Sequence, residues 1–519
     1  MSNRISSRYS PAIPLVIALA EVAFSTACQG PSVPLGSSSA TSAASSGVGG
    51  APGTAGVGGG STSTTSTTDT ASVSVGSGGG AGGGTAEADI LEKLQAIPGL
   101  QVTETTSNIA GYRRFLLQYD QPADHEAPSG QRFTQRLVLE HRSSSAPLVL
   151  SSSGYDISFS DNAQYLSEPT ELLEANELLV EHRFFSPSRP EPASWDKLTI
   201  AEAAADHHRI VTAFKPLYPA KWISTGGSKG GMTSVYHRRF YPGDVDGTVA
   251  YVAPESYGTA DPRYLDFLEK VGSDPACRDA LKAFQANALS RRPAMLKAMA
   301  AQGASYNILG PDRAFEYAII ELPFTFWQYY GASYCPDIPG SSAMDADVWS
   351  FLDEIDGPSF WSDALMLEFE PYYFQAGTEL GYPAYADGYI AAQLMYAGSD
   401  VPASFVVPGP GKTMTFHPEA MKDVASWLAT EGKAMLFVYG EVDPYSAAAF
   451  ELGGAKDSYR FFAPGGTHGS EIADLPSADQ ATAKAALFKW AGVTPKGFVG
   501  PSPFRAARKA ARRRRSLFQ

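Results

Sequence analysis

The sequence predicts an α/β protein with a mostly parallel sheet, helices on both faces of the sheet, and an inserted, mainly helical cap domain. Along the 519 residues, short apolar runs rich in β-branched and aromatic side chains alternate with helix-like patterns. Hydrophobic residues make up 44% of the chain, which is enough for a sizeable core and excludes a disordered or fibrous protein. Residues 258–432 interrupt the alternation with helical spacing and many aromatic residues, and they are predicted to form the cap.

Eight strands are expected from the apolar runs. They are Phe115–Tyr119, Phe133–Glu140, Pro147–Ser151, Leu178–Arg183, Trp222–Thr225, Thr248–Val252, Ala434–Tyr439 and Tyr459–Ala463. Thr199 and Glu202 have the spacing of a capping box, which favours a helix start at that point. Ser477 and Gln480 have the same spacing. The helices that follow are predicted over Ile200–Phe214 and Ala478–Trp490.

The first 28 residues have the pattern of an export signal. Arg4 and Arg8 form a basic start, residues 12–20 are apolar, and small residues precede Cys28. This arrangement resembles a bacterial lipoprotein cleavage site, so Cys28 is a lipidation candidate and plain secretion is the alternative. Residues 29–86 are almost entirely Gly, Ser, Thr and Ala, which predicts a disordered linker. We therefore expect an exported protein, either lipid-anchored at the cell envelope or secreted.

The two remaining cysteines, Cys277 and Cys335, fit the same compartment. An even pair in an oxidising environment favours a disulfide, with two buried free thiols as the alternative. We therefore expect a bond between them.

Charge is unevenly distributed along the chain. The net charge is −14 at pH 7, yet residues 501–519 contain seven basic residues and no acid. The body is therefore acidic, which argues against a nucleic-acid partner. The basic end is expected to be a solvated, disordered tail. The body contains no apolar run of about eighteen residues, so no membrane-spanning helix is expected there.

The segment Gly226–Gly230 matches the pattern G-x-S-x-G and centres on Ser228. It directly follows a predicted strand and precedes a helical pattern, which is the context that this nucleophile motif requires. Glycines two residues to either side of the serine leave room for a sharp turn and a close strand-helix approach. Ser228 is therefore the predicted nucleophile, and an incidental serine in a glycine-rich connection is the alternative.

A serine hydroxyl needs a base to take its proton, and that base needs a carboxylate to orient it. Asp443 follows a buried strand run, and His468 lies in a glycine-flanked loop after the next strand. We expect Asp443 and His468 to complete a triad with Ser228, and Glu441 is the alternative acid. The chain contains no H-E-x-x-H motif or paired cysteine spacing, so neither a metal nor a cofactor is expected.

Backbone N–H groups should stabilise the oxyanion that such a serine produces. One is expected from Lys229, directly after the nucleophile, and a second from the loop after the strand at 147–151. Gly154 and Tyr155 are equal candidates for the second donor.

Several separate motifs resemble one family of enzymes. They are Q-P-A-D-H at residues 121–125, F-T-Q-R at 133–136, E-H-R-F-F at 181–185, S-T-G-G-S-K-G-G-M-T at 224–233 and Y-H-R-R-F-Y-P at 236–242. Together they resemble the secreted bacterial prolyl tri/tetrapeptidyl aminopeptidases, which are serine peptidases related to lysosomal Pro-X carboxypeptidase. The resemblance covers residues 95–495. It implies a capped α/β-hydrolase that releases short peptides from free N-termini next to proline, with Ser228, Asp443 and His468 as the triad.

An aminopeptidase must recognise an α-ammonium group, and a carboxylate near the active face is the natural partner. Glu255 and Glu181 each lie at the end of a predicted strand and are the candidates. Two other functions stay open: an esterase or lipase of the same fold, and a catalytically silent binding protein. The sequence leaves the oligomeric state unassigned.

The predicted domain boundaries follow from these patterns. They are 1–28 for the export signal, 29–86 for the linker, 87–257 and 433–500 for the two parts of the hydrolase core, 258–432 for the cap, and 501–519 for the basic tail.

Overall fold

The structure is a computed structural model that describes residues 89–157, 164–494, 502, 504–506 and 508. The predicted export signal, the linker and Cys28 lie outside these ranges. The described residues belong to one compact unit. Within the described ranges, no helix combines the length and the apolar character needed to cross a membrane.

The sheet has nine strands, one more than the sequence predicts. In chain order they are β1 (Leu100–Thr105), β2 (Arg113–Pro122), β3 (Arg132–His141), β4 (Leu148–Ser152), β5 (Asn176–Val180), β6 (Trp222–Gly227), β7 (Gly247–Tyr251), β8 (Met435–Gly440) and β9 (Tyr459–Ala463). The additional strand is β1, which lies at one edge and buries only Leu100. Its other side chains are exposed or half-buried, so it lacks the apolar alternation that reveals a strand in a sequence.

The strand order is β1-β2-β3-β5-β4-β6-β7-β8-β9. The pairs from β1 to β5 are antiparallel, and every pair from β5 through β4 to β9 is parallel. The predicted mostly parallel α/β-hydrolase sheet is therefore confirmed. Because parallel strands end at the same edge, the loops after β4, β6, β8 and β9 all leave from one side.

Twelve α-helices are described. They are α1 (Ile90–Gln95), α2 (Glu168–Leu173), α3 (Ile200–Phe214), α4 (Lys229–Phe240), α5 (Arg263–Leu268), α6 (Pro275–Ser290), α7 (Arg292–Ala301), α8 (Pro311–Tyr329), α9 (Asp345–Asp356), α10 (Asp363–Gln375), α11 (Glu419–Glu431) and α12 (Ser477–Ala491). α3 matches its predicted range, and the Thr199 hydroxyl accepts the N–H of Glu202 at 3.1 Å. α12 begins at Ser477 itself with Pro476 as its N-cap, so the prediction that Ser477 caps this helix is wrong.

Helices cover both faces of the sheet. Leu150 of β4 packs in a core cluster with Phe214 of α3, whereas Val149 beside it packs with Leu487 of α12. Successive side chains of a strand point to opposite faces, so α3 and α12 lie on opposite sides. Burial on both faces explains why these strands read as continuous apolar runs.

The chain between β7 and β8 contributes α5 to α11, and a third, aromatic-rich core cluster lies largely among these helices. Cys277 of α6 is joined to Cys335, which follows α8, by a disulfide with a Cα–Cα distance of 5.4 Å. The expected bond is therefore present, and it closes a loop within this helical region.

The described residues at the C-terminus depart from the expected solvated tail. Arg508 is buried and donates to Glu471 at 2.7 and 3.0 Å and to Glu171 at 2.9 Å. Arg505 contacts Asp474. The sequence alone gave no sign of these ion pairs, because their acidic members lie far away along the chain.

Candidate active site

Ser228 lies in the sharp turn between β6 and α4. Its backbone has φ 54° and ψ −127°, a left-handed conformation that a non-glycine residue rarely adopts. The N–H of Ser228 donates to the carbonyl of Tyr251 at 2.9 Å, which holds the turn against β7. A Cβ at Gly226 would collide with the Gly230 carbonyl, so the glycines of the motif are needed for this approach. A strained serine at the end of a parallel strand is the geometry of a nucleophile.

Asp443 and His468 meet at the same edge of the sheet. Asp443 follows β8, His468 follows β9, and the His468 Nδ1–H donates to Asp443 Oδ2 at 2.7 Å. Both side chains are buried, with 0% of Asp443 and 1% of His468 exposed. This bond fixes the ring and leaves Nε2 as the nitrogen able to accept a proton. His468 Nε2 is buried and has no hydrogen-bond partner in the described part of the chain.

The alternative acid, Glu441, does not reach the histidine. Its Oε2 accepts a hydrogen bond from the N–H of Gly465 at 2.7 Å, in the exposed turn after β9. The main chain of His468 is held by α8, because the His468 N–H donates to the carbonyl of Gln328 at 2.8 Å.

The two candidates for the second oxyanion donor differ in the structure. The N–H of Tyr155 donates to the Ser153 hydroxyl at 2.9 Å, so it is already used. Gly154 has φ +80°, and a Cβ there would collide with the backbone of Lys229 and Gly230. Gly154 therefore lies directly against the start of α4, where the N–H of Lys229 lacks an intrahelical acceptor. The geometry favours Lys229 and Gly154 as the pair of donors.

The side chain of Lys229 also contacts the residue that carries the second donor, Gly154. Its Nζ donates to the Gly154 carbonyl at 2.8 Å and lies 5.6 Å from the ring centre of Tyr155 and 5.5 Å from that of Phe185. Burial lowers the pKa of this amine well below its usual value. The sequence identified Lys229 only by its backbone, and nothing local indicated this second contact.

Aromatic side chains surround the histidine, and some of them come from the region that the sequence predicts to be a cap. The ring of Tyr445 lies 5.1 Å from that of His468, and Tyr329 lies 6.0 Å away, edge-on. Tyr445 in turn contacts Phe324 at 5.0 Å. The 3₁₀ turn after Asp443 supplies Tyr445, and α8 supplies the other two, so this wall joins the core and the inserted helices.

The two carboxylates predicted to bind an ammonium group have different surroundings. The Glu181 carboxylate accepts hydrogen bonds from Arg136, from the Ser188 hydroxyl and, at 2.9 Å, from the N–H of Ile157. Glu255 is 1% exposed, its Oε1 has no partner in the described ranges, and burial raises its pKa to about 7. Glu181 therefore has the contacts of a structural residue, whereas Glu255 keeps an unused oxygen.

Comparison with known proteins identifies the family to which this site belongs. Residues 84–515 match the PS-10 peptidase S37 family. The chain belongs to that family. It is accordingly a serine-type peptidase, which is the enzyme class that the motifs predict.

Individual relatives agree with this assignment. The chain is 42% identical over 422 residues to prolyl tri/tetrapeptidyl aminopeptidase of Streptomyces mobaraensis, covering 79% of this chain and 86% of that one. It is 26% identical over 174 residues to lysosomal Pro-X carboxypeptidase of Mus musculus, covering 30% and 35% of the two chains. Among solved structures, acetyl xylan esterase 1 of Thermoanaerobacterium sp. aligns with a TM-score of 0.33 at 10% identity, covering 77% and 90%. The predicted resemblance to the prolyl aminopeptidases is confirmed.

Proposed function

We propose that the chain is an exopeptidase that releases tripeptides or tetrapeptides from free N-termini, with proline at the cleavage site. The buried Asp443–His468 pair and the strained turn of Ser228, which both follow parallel strands at the same edge of the sheet, support this proposal. The relative from Streptomyces mobaraensis supports the substrate class, since its name states both the proline preference and the peptide length.

The proposed reaction gives each of these donors and acceptors a role. Ser228 Oγ attacks the carbonyl carbon of the bond to be cut while His468 Nε2 takes the hydroxyl proton, and Asp443 holds the ring through Nδ1. The N–H groups of Lys229 and Gly154 donate to the oxyanion that forms. His468 then gives the proton to the leaving amine, and the peptide stays attached to the serine as an ester. Water, deprotonated by the same histidine, releases it.

Proline preference is explained by the aromatic surroundings of the histidine. The rings of Tyr445 and His468 lie 5.1 Å apart, and Tyr155, next to the oxyanion loop, lies 6.0 Å from Tyr372. Rigid aromatic faces bind a compact apolar ring such as that of proline with little loss of side-chain freedom. The proline ring would occupy the space beside the histidine.

The test combines product analysis with removal of the nucleophile. Mass spectrometry of a proline-containing peptide library should show release of N-terminal fragments that end in proline. Ser228→Ala should lower kcat by about a million-fold, because triad members act as a unit. Ser290→Ala, an exposed serine of α6, is the control and should keep full activity. Activity within tenfold of wild type in Ser228→Ala, or hydrolysis of short esters only, would overturn the proposal.

We also propose that the chain is exported and anchored through a lipid on Cys28, with residues 29–86 as a tether. The Cys277–Cys335 disulfide supports export, because such bonds persist in oxidising compartments. Intact-mass measurement of the protein from a bacterial host should find a diacylglycerol adduct at an N-terminal Cys28, and Cys28→Ser should abolish it. A mature chain without the adduct would leave plain secretion in its place.

A further inference from the structure

Lys229 is a buried lysine without an acidic partner among the described residues. It is the first residue of α4, directly after Ser228, and only 2% of it is exposed. Its amine contacts the Gly154 carbonyl and two aromatic rings, and within the described ranges no carboxylate offsets the effect of burial on its pKa. Burying an amine without a counter-charge is costly, and an apolar side chain of similar length would fill the space without that cost. The cost indicates that the contact made by the amine has a role.

That contact joins the start of α4 to the loop after β4. Lys229 Nζ donates to the Gly154 carbonyl at 2.8 Å. The two backbones also approach closely there, since a Cβ on Gly154 would lie 2.4 Å from the Gly230 nitrogen. On its other side the loop is held by β5, because the Ser153 N–H donates to the Val180 carbonyl at 3.1 Å. Lys229 therefore fastens this loop to the helix that begins at the nucleophile.

The lysine itself is held at both ends. Its Nζ lies 5.6 and 5.5 Å from the ring centres of Tyr155 and Phe185, which pack edge-on with their centres 5.4 Å apart. Aromatic faces attract such an amine when it carries its proton. At the other end, the Lys229 carbonyl accepts the Thr233 hydroxyl at 2.8 Å, and the Tyr236 hydroxyl donates to that of Thr233 at 2.9 Å. The place of the amine relative to the nucleophile is thereby defined.

Gly154 is the residue whose geometry this contact controls. Its φ of +80° is a conformation that glycine adopts freely, and the same freedom would let it adopt others. With Ser153 bonded to β5 and the Gly154 carbonyl bonded to Lys229, the torsion angles on both sides of Gly154 are restrained. Its N–H is the favoured second oxyanion donor, and such a donor is effective only within about 0.5 Å of the productive position.

We infer that the side chain of Lys229 is a positioning residue, which holds the N–H of Gly154 where the oxyanion forms. This inference rests on the proposed function and on the pair of donors assigned above. Lys229 then serves the oxyanion twice, directly through its backbone N–H and through Gly154 by its side chain. An oxyanion is present in the transition state and not in the bound substrate, so the contribution of the amine falls on kcat rather than on KM.

Lys229→Met is the test, because methionine has a similar length and no donor. On an Ala-Ala-Pro chromogenic substrate, kcat should fall by about 10- to 100-fold, somewhat less than on deletion of an oxyanion donor, and KM should stay within about twofold. Inhibitors provide a second measurement. A tripeptide aldehyde that ends in prolinal forms a hemiacetal oxyanion with Ser228, and its Ki should rise by about the factor that kcat loses. The matching alcohol, which ends in prolinol, forms no oxyanion and should bind as it does to wild type.

Lys412→Met is the matched control. Lys412 also lies over an aromatic ring, that of Trp195 at 4.7 Å, but it pairs with Glu370 and not with the loop after β4. This variant should keep the wild-type kcat and the wild-type Ki for both inhibitors. Thermal unfolding checks that each variant is folded. If Lys229→Met is not folded, Lys229→Gln, whose amide has a shorter reach, replaces it and should show the same loss in kcat.

Three results would overturn the inference. They are a folded Lys229 variant with kcat within about threefold of wild type, an equal loss of affinity for the aldehyde and the alcohol, and failure of both Lys229 variants to fold, which would make the amine a requirement of the fold. Failure of the proposed function looks different, because the wild type itself would then leave the peptide substrate intact. Lys229→Met would in that case still hydrolyse p-nitrophenyl acetate more slowly than wild type, since esters need the same oxyanion donors.

Discussion

Buried charged side chains have opposite neighbours beside the sheet and among the inserted helices. Beside the sheet, Arg183 donates to Asp206 at 2.7 and 2.8 Å, and neither side chain is accessible to solvent. Among the inserted helices, Glu321 and Asp356 are also buried, but the charged groups that act on them are other acids, Asp400 among them. Burial raises the pKa of Asp206, yet Arg183 outweighs it and the net direction is downward. Burial alone therefore does not determine the charge state of an acidic side chain; the neighbouring cation does.

Breaking the pair beside the sheet should have the largest effect on stability. Arg183→Met leaves the buried Asp206 with His125, at 2.7 Å, in place of its arginine, and also removes donors to the carbonyls of Ala123 and Lys197. We expect a loss of about 3 to 5 kcal/mol in the free energy of unfolding, the usual result of removing one member of a buried ion pair. Urea unfolding at pH 7 measures it.

The control for this variant is an ion pair at the surface. Arg239 donates to Asp423 at 2.9 Å, and both side chains are substantially exposed. Arg239→Met should lower the free energy of unfolding by at most about 1 kcal/mol. If the two variants were equally stable, the buried pair would not be a stabilising contact, and the contrast between the two regions would fail.

The parts of the candidate site that the sequence indicates are those with a local pattern. Ser228 has its strand, glycines and helix within a few positions, and Asp443 and His468 each directly follow a strand. The acidic surroundings of Glu321 could not be found in this way, because Glu321 reads as a single acid in an aromatic helix. Its partners, Asp356 and Asp400, come from other elements and are brought near only by tertiary packing.

The C-terminal end shows the same difficulty. Arg508 belongs to a run of basic residues, and the charge pattern alone predicts a solvated segment. Its acceptors, Glu171 and Glu471, lie 337 and 37 residues away. The edge strand β1 was missed for a different reason, since its exposed side chains give no apolar alternation.

Arg508 tests whether the rule for the sheet extends to its periphery. Arg508→Met should lower the free energy of unfolding by about 2 to 3 kcal/mol at pH 8, because it leaves Glu471 close to Glu168 without a cation. The effect is smaller than for Arg183 because a carboxyl group here can take up a proton: burial and then Glu471 raise the pKa of Glu168. The folded variant thus binds more protons than the unfolded chain, so its stability falls as pH rises.

Thermal unfolding of Arg508→Met at pH 5 and pH 8 measures this dependence. The difference from wild type should be smaller at pH 5. Arg189→Met is the control, since Arg189 pairs with the exposed Glu191 at 2.9 Å and should show no such pH dependence. A pH-independent loss in Arg508→Met would mean that the contact stabilises through packing rather than charge.

The smallest effect is expected at Asp356, the last residue of α9. Asp356→Asn should change the free energy of unfolding by less than about 1 kcal/mol at pH 5, because burial already raises the pKa of Asp356 and keeps it protonated. The amide oxygen can still accept the Thr325 hydroxyl that acts on Asp356. As pH rises, wild type loses stability, since the folded state must release a proton that the unfolded chain has already lost. The variant lacks that loss and should become the more stable protein by pH 9, measured by thermal unfolding across this range. Asp206→Asn should instead be destabilised throughout, and a similar loss in Asp356→Asn would show that the Asp356 carboxyl group stabilises the fold, against the contrast between the two regions.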